Sequence, residues 1–461
     1  MSAPLAAQFP WTRSARTLVP AAGGDEEEPP KSILANLQWS PAFVGFVAYI
    51  WAVTSYRAPI GTAAMLLGIA GLLFEREKRR VPPLVVGAVG LLIWAVIGYT
   101  MTEFPWVVMP RMQDFAKLCL IMFVAVNVLR TRARFRFFVI LFLVFFALYP
   151  VRGTLFNYYV YQTRWLGRAM WTGVYSNSND LATFCMLPLC LAVGLLATER
   201  QRWMRIAAAA GACVLPYLII LSQSRGGFIG LATFGVVVLS QQRRRLRKIM
   251  IVALVAAGLF VSAPDSALKR IGTVSAVTNT ETLKEADDRG SAAQRYEIWR
   301  IAVAIIGDNP VIGVGLGAYS RVHARYARMP GFDRLSGGYR DTHSTYLNII
   351  AETGFVGFGF FCFLVLATVI PAERIRRRAK VDFSRHAVQL FYLEVGLLGF
   401  LVAAIWGTYT VIVFTYLHLA LIVAAGYLLK QDMRRLARTR AMPTRTQAPA
   451  AGALLPTGTM G

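Results

Sequence analysis

Residues 83–101 read PLVVGAVGLLIWAVIGYTM, a run of nineteen residues without a charged side chain. A helix rises 1.5 Å per residue, so about 20 apolar residues cross the roughly 30 Å hydrocarbon layer of a bilayer. Hydrophobic residues make up 56% of the 461 positions, charged residues only 16%, and the mean hydropathy is +0.50. This composition excludes a soluble globular protein, a disordered chain and a disulfide scaffold. The sequence therefore predicts an all-α polytopic membrane protein.

Similar apolar runs recur along the chain and predict about twelve transmembrane helices. The predicted spans are 41–56, 58–74, 83–101, 114–129, 135–150, 179–198, 204–221, 227–241, 249–263, 345–370, 388–406 and 408–428. The second boundary and the break at 406/408 are weakly marked, and the short spans leave room for tilted or re-entrant pieces.

The formal net charge is +25, because 49 Lys and Arg face only 24 Asp and Glu. If the amino terminus is cytoplasmic, every short connection on that side carries a basic cluster, such as 76–80 and 130–136. This is the positive-inside pattern, which predicts that both termini are cytoplasmic. The clusters would also suit nucleic acid or anionic lipid. Their regular recurrence favours the topological interpretation, and we expect membrane lipids but no nucleic acid as partners.

The chain divides into three predicted regions. Residues 1–38 include the acidic, Pro-containing stretch 25–30 and predict a disordered cytoplasmic arm without a cleavable signal peptide. Residues 39–432 form the transmembrane domain, and residues 433–461 are rich in Ala, Thr, Pro and Gly, which predicts a disordered cytoplasmic tail. The five Cys residues all fall within spans and show neither a disulfide framework nor a metal-ligand spacing.

One external connection, 264–344, is much longer than the others and is predicted to be partly helical. Within it, 291–306 places Ile298, Ile301 and Ile305 on one helical face, a stripe suited to a membrane surface. Asp308-Asn309-Pro310 should end this helix. The glycines that follow resemble a dinucleotide loop superficially, but no strand precedes them and no crossover follows.

Three predicted spans begin on the external side with polar sequences. These sequences are Ser176–Asp180, Ser222–Gly227 and Asp341–Ser344. Helix N-termini present free N–H groups and a partial positive charge, which suit a phosphate. Arg225 at one of these ends, with Arg295, Arg289 or Arg168 nearby, would complete a site for a strongly anionic ligand.

Simpler roles remain open for several of these residues. Asn179 and Ser178 would serve as ordinary helix caps. Arg225 at the membrane interface would snorkel towards water. Arg295 would stack on Trp299 one turn later.

His343 is the one of four His residues that lies at the external start of a span, two residues after Asp341. An imidazole with a pKa near its usual value of about 6.5 accepts a proton from a hydroxyl group at neutral pH. This position favours His343 as a general base, with helix capping as the alternative.

Three ordered motifs carry a family resemblance. They are SRGG at 224–227, RYEIW at 295–299 with NPVIGVG at 309–315, and HSTYLNIIAETGFVG at 343–357. This set of motifs resembles the O-antigen ligase/O-antigen polymerase superfamily. The order of the motifs, their predicted side of the membrane and the long external loop late in the chain all agree with that family. The resemblance covers about residues 90–430.

The resemblance implies an all-helical glycosyltransferase of the bacterial inner membrane. Such enzymes take a glycan from undecaprenyl diphosphate at the periplasmic face and pass it to an acceptor hydroxyl. Carried over by motif, His343 is the catalytic base, while Arg225 and Arg295 hold the diphosphate. The candidate substrate-binding residues are Arg289, Arg168, Asn179, Asp341 and Tyr346. The expected reaction inverts the anomeric centre and needs neither a metal nor another cofactor.

Alternatives differ mainly in the acceptor. If the acceptor is a lipid A core, the protein is an O-antigen ligase of lipopolysaccharide synthesis. If it is another lipid-linked glycan, the protein is an O-antigen or exopolysaccharide polymerase. If it is a protein hydroxyl, the protein is a protein O-glycosylation ligase. A polysaccharide or lipid transporter is the remote alternative. The two halves show no repeat, and intramembrane charges are few, with Glu394 the clearest.

Overall fold

The computed structural model describes residues 34, 36–241, 249–250, 253–255, 257–258, 261–272, 291–333, 336–379 and 385–441. Within these residues the regular elements are helices, and seven helices are long and apolar enough to cross a membrane. Three shorter apolar helices accompany them. The prediction of an all-α polytopic membrane protein is confirmed.

Fourteen helices are labelled here in chain order. They are α1 (Pro41–Ser55), α2 (Gly61–Leu73), α3 (Pro83–Met101), α4 (Pro105–Val128), α5 (Arg132–Val160), α6 (Ser178–Thr198), α7 (Arg202–Ser222), α8 (Arg225–Ser240), α9 (Asp265–Gly272), α10 (Ser291–Asp308), α11 (Tyr319–Tyr326), α12 (Thr345–Arg378), α13 (Arg385–Ala403) and α14 (Val413–Ala441).

Several predicted spans are longer in the structure than in the sequence analysis, among them two in the amino-terminal half of the chain. The span expected at 114–129 begins at Pro105, since Pro is tolerated in the first turn of a helix. The span expected at 135–150 begins at Arg132, where the Thr131 hydroxyl accepts a hydrogen bond from the backbone N–H of Arg134. It continues to Val160 because π-helical turns carry the chain past Pro150.

The chain near the last two spans also differs from the expectation. The break predicted at 406/408 is a non-helical connection, and α14 begins at Val413 and ends at Ala441. Part of the expected tail is therefore helical. The rest of the tail, residues 1–33 of the arm and much of the span expected at 249–263 lie outside the described residues.

A column of buried aromatic rings runs through the helix bundle towards one end. Phe414 of α14 lies 6.4 Å from Phe146 and 4.9 Å from Phe184, measured between ring centroids. The ring of Phe184 in turn lies 5.4 Å from Tyr409. Lipid tails are as apolar as these side chains, so close packing rather than the hydrophobic effect favours this arrangement. The column fixes the height and orientation of Tyr409.

The predicted cytoplasmic basic clusters also form ion pairs between helices. Arg136 of α5 contacts buried Glu199 at 3.0 Å. Arg376 of α12 contacts Glu394 of α13 at 2.7 Å. Breaking a buried pair leaves an uncompensated charge and typically costs about 3–5 kcal/mol. These arginines therefore hold neighbouring helices together, whatever their part in setting the topology.

Helix α10 does not use its apolar stripe as the sequence analysis expected. Ile298, Ile301 and Ile305 are at most 1% exposed, and they pack with Tyr319 of α11 and Ala351 of α12. The stripe is covered by protein and not by a membrane surface. The helix ends at Asp308, as predicted.

The glycine-containing loop after α10 inserts into a break of α12. The backbone N–H groups of Val314 and Gly315 donate to the carbonyls of Ala351 and Glu352, and that of Phe355 donates to Pro310. Gly354, at the break, has φ +64° and ψ −176°. The loop is thus a packed connection that attaches the end of α10 to α12.

We expect Gly354→Ala to lower the thermal unfolding midpoint by roughly 5 °C. An added Cβ would lie 2.0 Å from the Val311 carbonyl oxygen, and a positive φ is unfavourable for alanine. Gly359→Ala is the matched control, because no atom of another described element lies within 4 Å of its added Cβ. Equal midpoints for the two variants, measured in the same detergent, would contradict this account of the break.

Candidate functional site

The segment Gly407–Thr410 connects the last two long helices and binds the start of α12. The Thr345 hydroxyl donates to the Gly407 carbonyl at 2.7 Å and accepts from the backbone N–H of Tyr409 at 2.9 Å. The Thr410 hydroxyl donates to the Asn348 side chain at 3.0 Å. Sequence analysis placed residues 408–412 inside a span, but these polar groups bond sideways to α12 instead of continuing a helix.

Tyr409 joins this segment to the start of α6. Its hydroxyl lies 3.2 Å from Asp180 Oδ1 and 3.0 Å from Thr183 Oγ1. Burial and then the negative charge of Asp180 raise the pKa of Tyr409 well above 10. The phenol therefore stays protonated and donates to the carboxylate.

Thr408 joins the same segment to the loop that carries His343. Its hydroxyl donates to Asp341 Oδ1 at 2.9 Å and lies 3.0 Å from the Thr342 hydroxyl. On the other side of this loop, the Trp299 indole N–H donates to the Thr342 carbonyl at 2.9 Å. The loop before α12 is thus held between α10 and the Gly407–Thr410 segment.

His343 has a left-handed backbone conformation, with φ +49°, and its side chain is half-buried. Non-glycine residues seldom adopt this conformation, and such strain concentrates at functional sites. Ser344, not His343, caps α12, since its hydroxyl accepts from the Leu347 backbone N–H at 3.5 Å. Helix capping therefore does not account for His343.

Three of the described residues place charges near His343. Burial, followed by the positive charge of Arg295, lowers the pKa of His343 to about 4, although Asp341 acts in the opposite direction and Arg340 in the same one. The imidazole is therefore neutral at pH 7 and can accept a proton. Arg295 of α10 also attracts the Asp180 carboxylate.

Arg225 is the first residue of α8, and the helix start packs against two parts of the site. The Ser224 hydroxyl caps the helix by accepting from the Gly227 backbone N–H at 3.2 Å. An added Cβ at Gly227 would lie 2.7 Å from the Ala182 Cβ of α6, and one at Gly226 would lie 3.2 Å from the Trp406 Cβ. The starts of α6, α8 and α12 thus gather around residues 406–410.

Arg168 and Asn179 contact each other. The buried Arg168 donates to Asn179 Oδ1 at 2.7 Å and to the Ser222 carbonyl at 2.8 Å. Asn177, and not Asn179 or Ser178, caps α6, because its side chain accepts from the Asn179 backbone N–H at 2.9 Å. Arg168 and Asn179 therefore join the ends of α6 and α7.

The remaining candidate residues lie apart from this group. The Tyr346 hydroxyl donates to the Leu401 carbonyl of α13 at 2.7 Å, a contact between helices. Arg289 lies outside the described residues. His323 is completely buried, because its helix packs inwards against α10.

Sequence reasoning missed Thr408 and Tyr409 and gave Asp180 no role of its own. The available signal was the polar triplet 408–410 between two apolar runs. Polar side chains at the junction of two spans indicate a loop that lines a cavity or binds a neighbouring helix.

A family model described as O-antigen ligase matches residues 209–362. This stretch runs from α7 into α12 and contains Arg225, Arg295 and His343. The resemblance to the O-antigen ligase superfamily is confirmed. The region of the ligase match also contains the loop that inserts at Gly354, while Arg168 and Asn179 lie before it.

An uncharacterized protein of Haemophilus influenzae is 22% identical to the chain over 154 residues. The match covers 32% of this chain and 39% of that protein. The chain thus spans less than half the length of this relative.

We expect the His343 imidazole to remain neutral from pH 8 down to about pH 5, since its pKa lies near 4. Arg295→Gln should raise this pKa by removing a positive charge, and Asp341→Asn should lower it further. Nitrogen NMR of histidine-labelled protein, assigned with His343→Gln, measures both shifts. Titration near pH 6.5 in the wild type would contradict the buried, Arg295-facing environment.

Proposed function

We propose that this protein is a bacterial inner-membrane glycosyltransferase of the O-antigen ligase type. It moves a glycan from undecaprenyl diphosphate to an acceptor hydroxyl. The observation that carries the proposal is the position of a neutral histidine, His343, in the electrostatic field of Arg295 and next to Asp341. The family match over the segments that hold His343, Arg295 and Arg225 supports it.

The proposed reaction is an inverting displacement. The acceptor oxygen attacks the anomeric carbon and forms the new glycosidic bond, while the bond from that carbon to the diphosphate oxygen breaks. His343 takes the proton of the acceptor hydroxyl, and undecaprenyl diphosphate leaves. The separation of nucleophile and leaving group on opposite faces of the sugar produces the inversion.

Arg225 and Arg295 bind the diphosphate in this mechanism. Negative charge accumulates on the leaving group in the transition state, where fixed positive groups in a partly dehydrated site are most effective. The α8 start adds backbone N–H groups to the guanidinium of Arg225. Neither residue needs to change its protonation state.

The surrounding residues keep these groups in place. Asp341 orients the loop of His343 through its bond to Thr408. Asp180, which accepts from Tyr409, attracts Arg295 towards the same side. Arg168 and Asn179 act as positioning residues by joining α6 to α7, and Tyr346 does so by joining α12 to α13.

The basic clusters support a cytoplasmic position for both termini and a periplasmic position for the site. In that orientation residues 39–432 form the transmembrane domain and 264–344 the periplasmic loop. The donor then arrives from the outer leaflet, and the acceptor from the periplasm or the same leaflet. A lipid A core is the acceptor we favour.

Reconstituted wild-type protein should transfer glycan from undecaprenyl diphosphate to the lipid A core. His343→Ala should lower turnover by roughly 10²–10⁴-fold, and Arg225→Ala or Arg295→Ala by roughly 10²–10³-fold. Arg300→Ala is the control, because Arg300 lies on the same helix as Arg295 but is exposed and pairs with Glu297. Product formation is followed by chromatography of labelled glycan.

Parallel reactions separate the alternatives. Transfer only to a second lipid-linked glycan would indicate a polymerase. Transfer only to a protein hydroxyl would indicate a protein O-glycosylation ligase. Full turnover by His343→Ala would exclude the proposed base. Activity is expected to persist in EDTA, whereas a loss restored by Mg²⁺ would contradict the metal-independent mechanism.

A further inference from the structure

A cavity of about 360 Å³ lies between α5, α6 and α7, and none of the site residues described above lines it. Every lining side chain is apolar, and its floor is formed by buried residues such as Phe146, Ala192 and Leu215. Its volume is in the range of roughly 300–1,000 Å³ that is usual for small-ligand sites. An apolar cavity of this size suits a hydrocarbon chain and excludes a polar ligand.

The cavity opens sideways to the surface of the helix bundle. Val144 of α5 and Trp203 of α7 line it, yet they are 43% and 58% exposed. Its α7 wall extends from Trp203 to Leu215, a rise of about 18 Å. This length corresponds to about one leaflet of a bilayer whose hydrocarbon layer is roughly 30 Å thick.

Local backbone structure produces the cavity. Helix α5 widens into a π-helical turn at Ala147–Val151, and both end residues of that turn line the cavity. Opposite this turn, Ala207, Ala208 and Gly211 give α7 a shallow face. Single π-helical turns occur frequently at functional sites.

The end of the cavity near Trp203 carries positive charge. Arg200, Arg202 and Arg205 are exposed there. The neighbouring acid, Glu199, is buried and paired with Arg136 at 3.0 Å. A tryptophan at the level of exposed arginines is typical of the membrane–water interface, where basic side chains attract anionic headgroups.

We propose that this cavity binds one anionic glycerophospholipid of the leaflet on the basic side of the protein. An acyl chain fills the space between α5, α6 and α7, and the phosphate group contacts Arg202 and Arg205. The site is independent of the glycosyl transfer proposed above.

The test is native mass spectrometry of the delipidated full-length protein titrated with phosphatidylglycerol or phosphatidylcholine of identical acyl chains. Wild type should bind one phosphatidylglycerol about tenfold more tightly than phosphatidylcholine. Gly211→Leu should abolish most of this binding by filling the cavity, since an added Cβ there contacts only Ala192 at 3.5 Å. Gly235→Leu is the control, because its added Cβ meets no atom of another described element within 4 Å.

A charge arm and a competition arm complete the test. The double variant Arg202→Gln, Arg205→Gln should bind phosphatidylglycerol and phosphatidylcholine equally well. The control is the double variant Arg434→Gln, Arg438→Gln, whose residues are exposed on α14, and it should keep the preference for phosphatidylglycerol. Ala207→Leu replaces Gly211→Leu if the latter unfolds at a lower temperature than wild type. Unchanged phosphatidylglycerol binding by the cavity-filling variant overturns the proposal. Preferential, Gly211-dependent binding of a polyprenyl phosphate would also overturn it, by assigning the cavity to a different lipid.

Discussion

The arrangement of the site depends on the hydrogen bonds of Tyr409, whose hydroxyl group is buried. It donates to Asp180 and lies 3.0 Å from the Thr183 hydroxyl of α6, while the backbone N–H of the same residue donates to Thr345 at the start of α12. One residue therefore sets the distance between two helix starts. The aromatic column through Phe184 and Phe414 holds Tyr409 at that level. His343 and Arg295 can act on one ligand only if this distance is kept.

The loop before α12 depends on a second constraint, the break at Gly354. The chain after α10 enters this break and bonds to Ala351 and Glu352, so that α10 is fixed against α12. Because α10 carries Arg295 and α12 follows His343, the break couples the positions of these two side chains. Helix α10 and the loop that follows it are thus part of the helix bundle around the site.

The fold class could be predicted from the sequence, because apolar runs are local patterns. The family motifs selected His343, Arg225 and Arg295 as candidates without any structure, and the roles of these residues stay a prediction. The side-chain partners could not be predicted. The bonds of Thr408 with Asp341, and of Arg168 with the Ser222 carbonyl, join residues that are far apart in the sequence, so their proximity depends on tertiary packing. The amphipathic stripe of α10 indicated a helix correctly, but its period is the same whether protein or lipid covers it.

The positive charge of the chain serves more than one purpose. Arg136 and Arg376 pair with buried acids and so connect helices on the basic side. Arg202 and Arg205 remain exposed near an apolar cavity, where a lipid headgroup would be attracted. Arg225 and Arg295 lie at helices that meet at the proposed transfer site. Position relative to the membrane, and not residue type, distinguishes these roles.

The central claim is that Arg225, Arg295 and His343 face one diphosphate-linked sugar. A cryo-electron-microscopy structure with a non-transferable undecaprenyl-diphosphate glycan tests it most directly. We expect both guanidinium groups within hydrogen-bond distance of the diphosphate and the His343 ring on the opposite side of the anomeric carbon. A diphosphate bound at the basic side of the protein, or away from His343, would contradict the account.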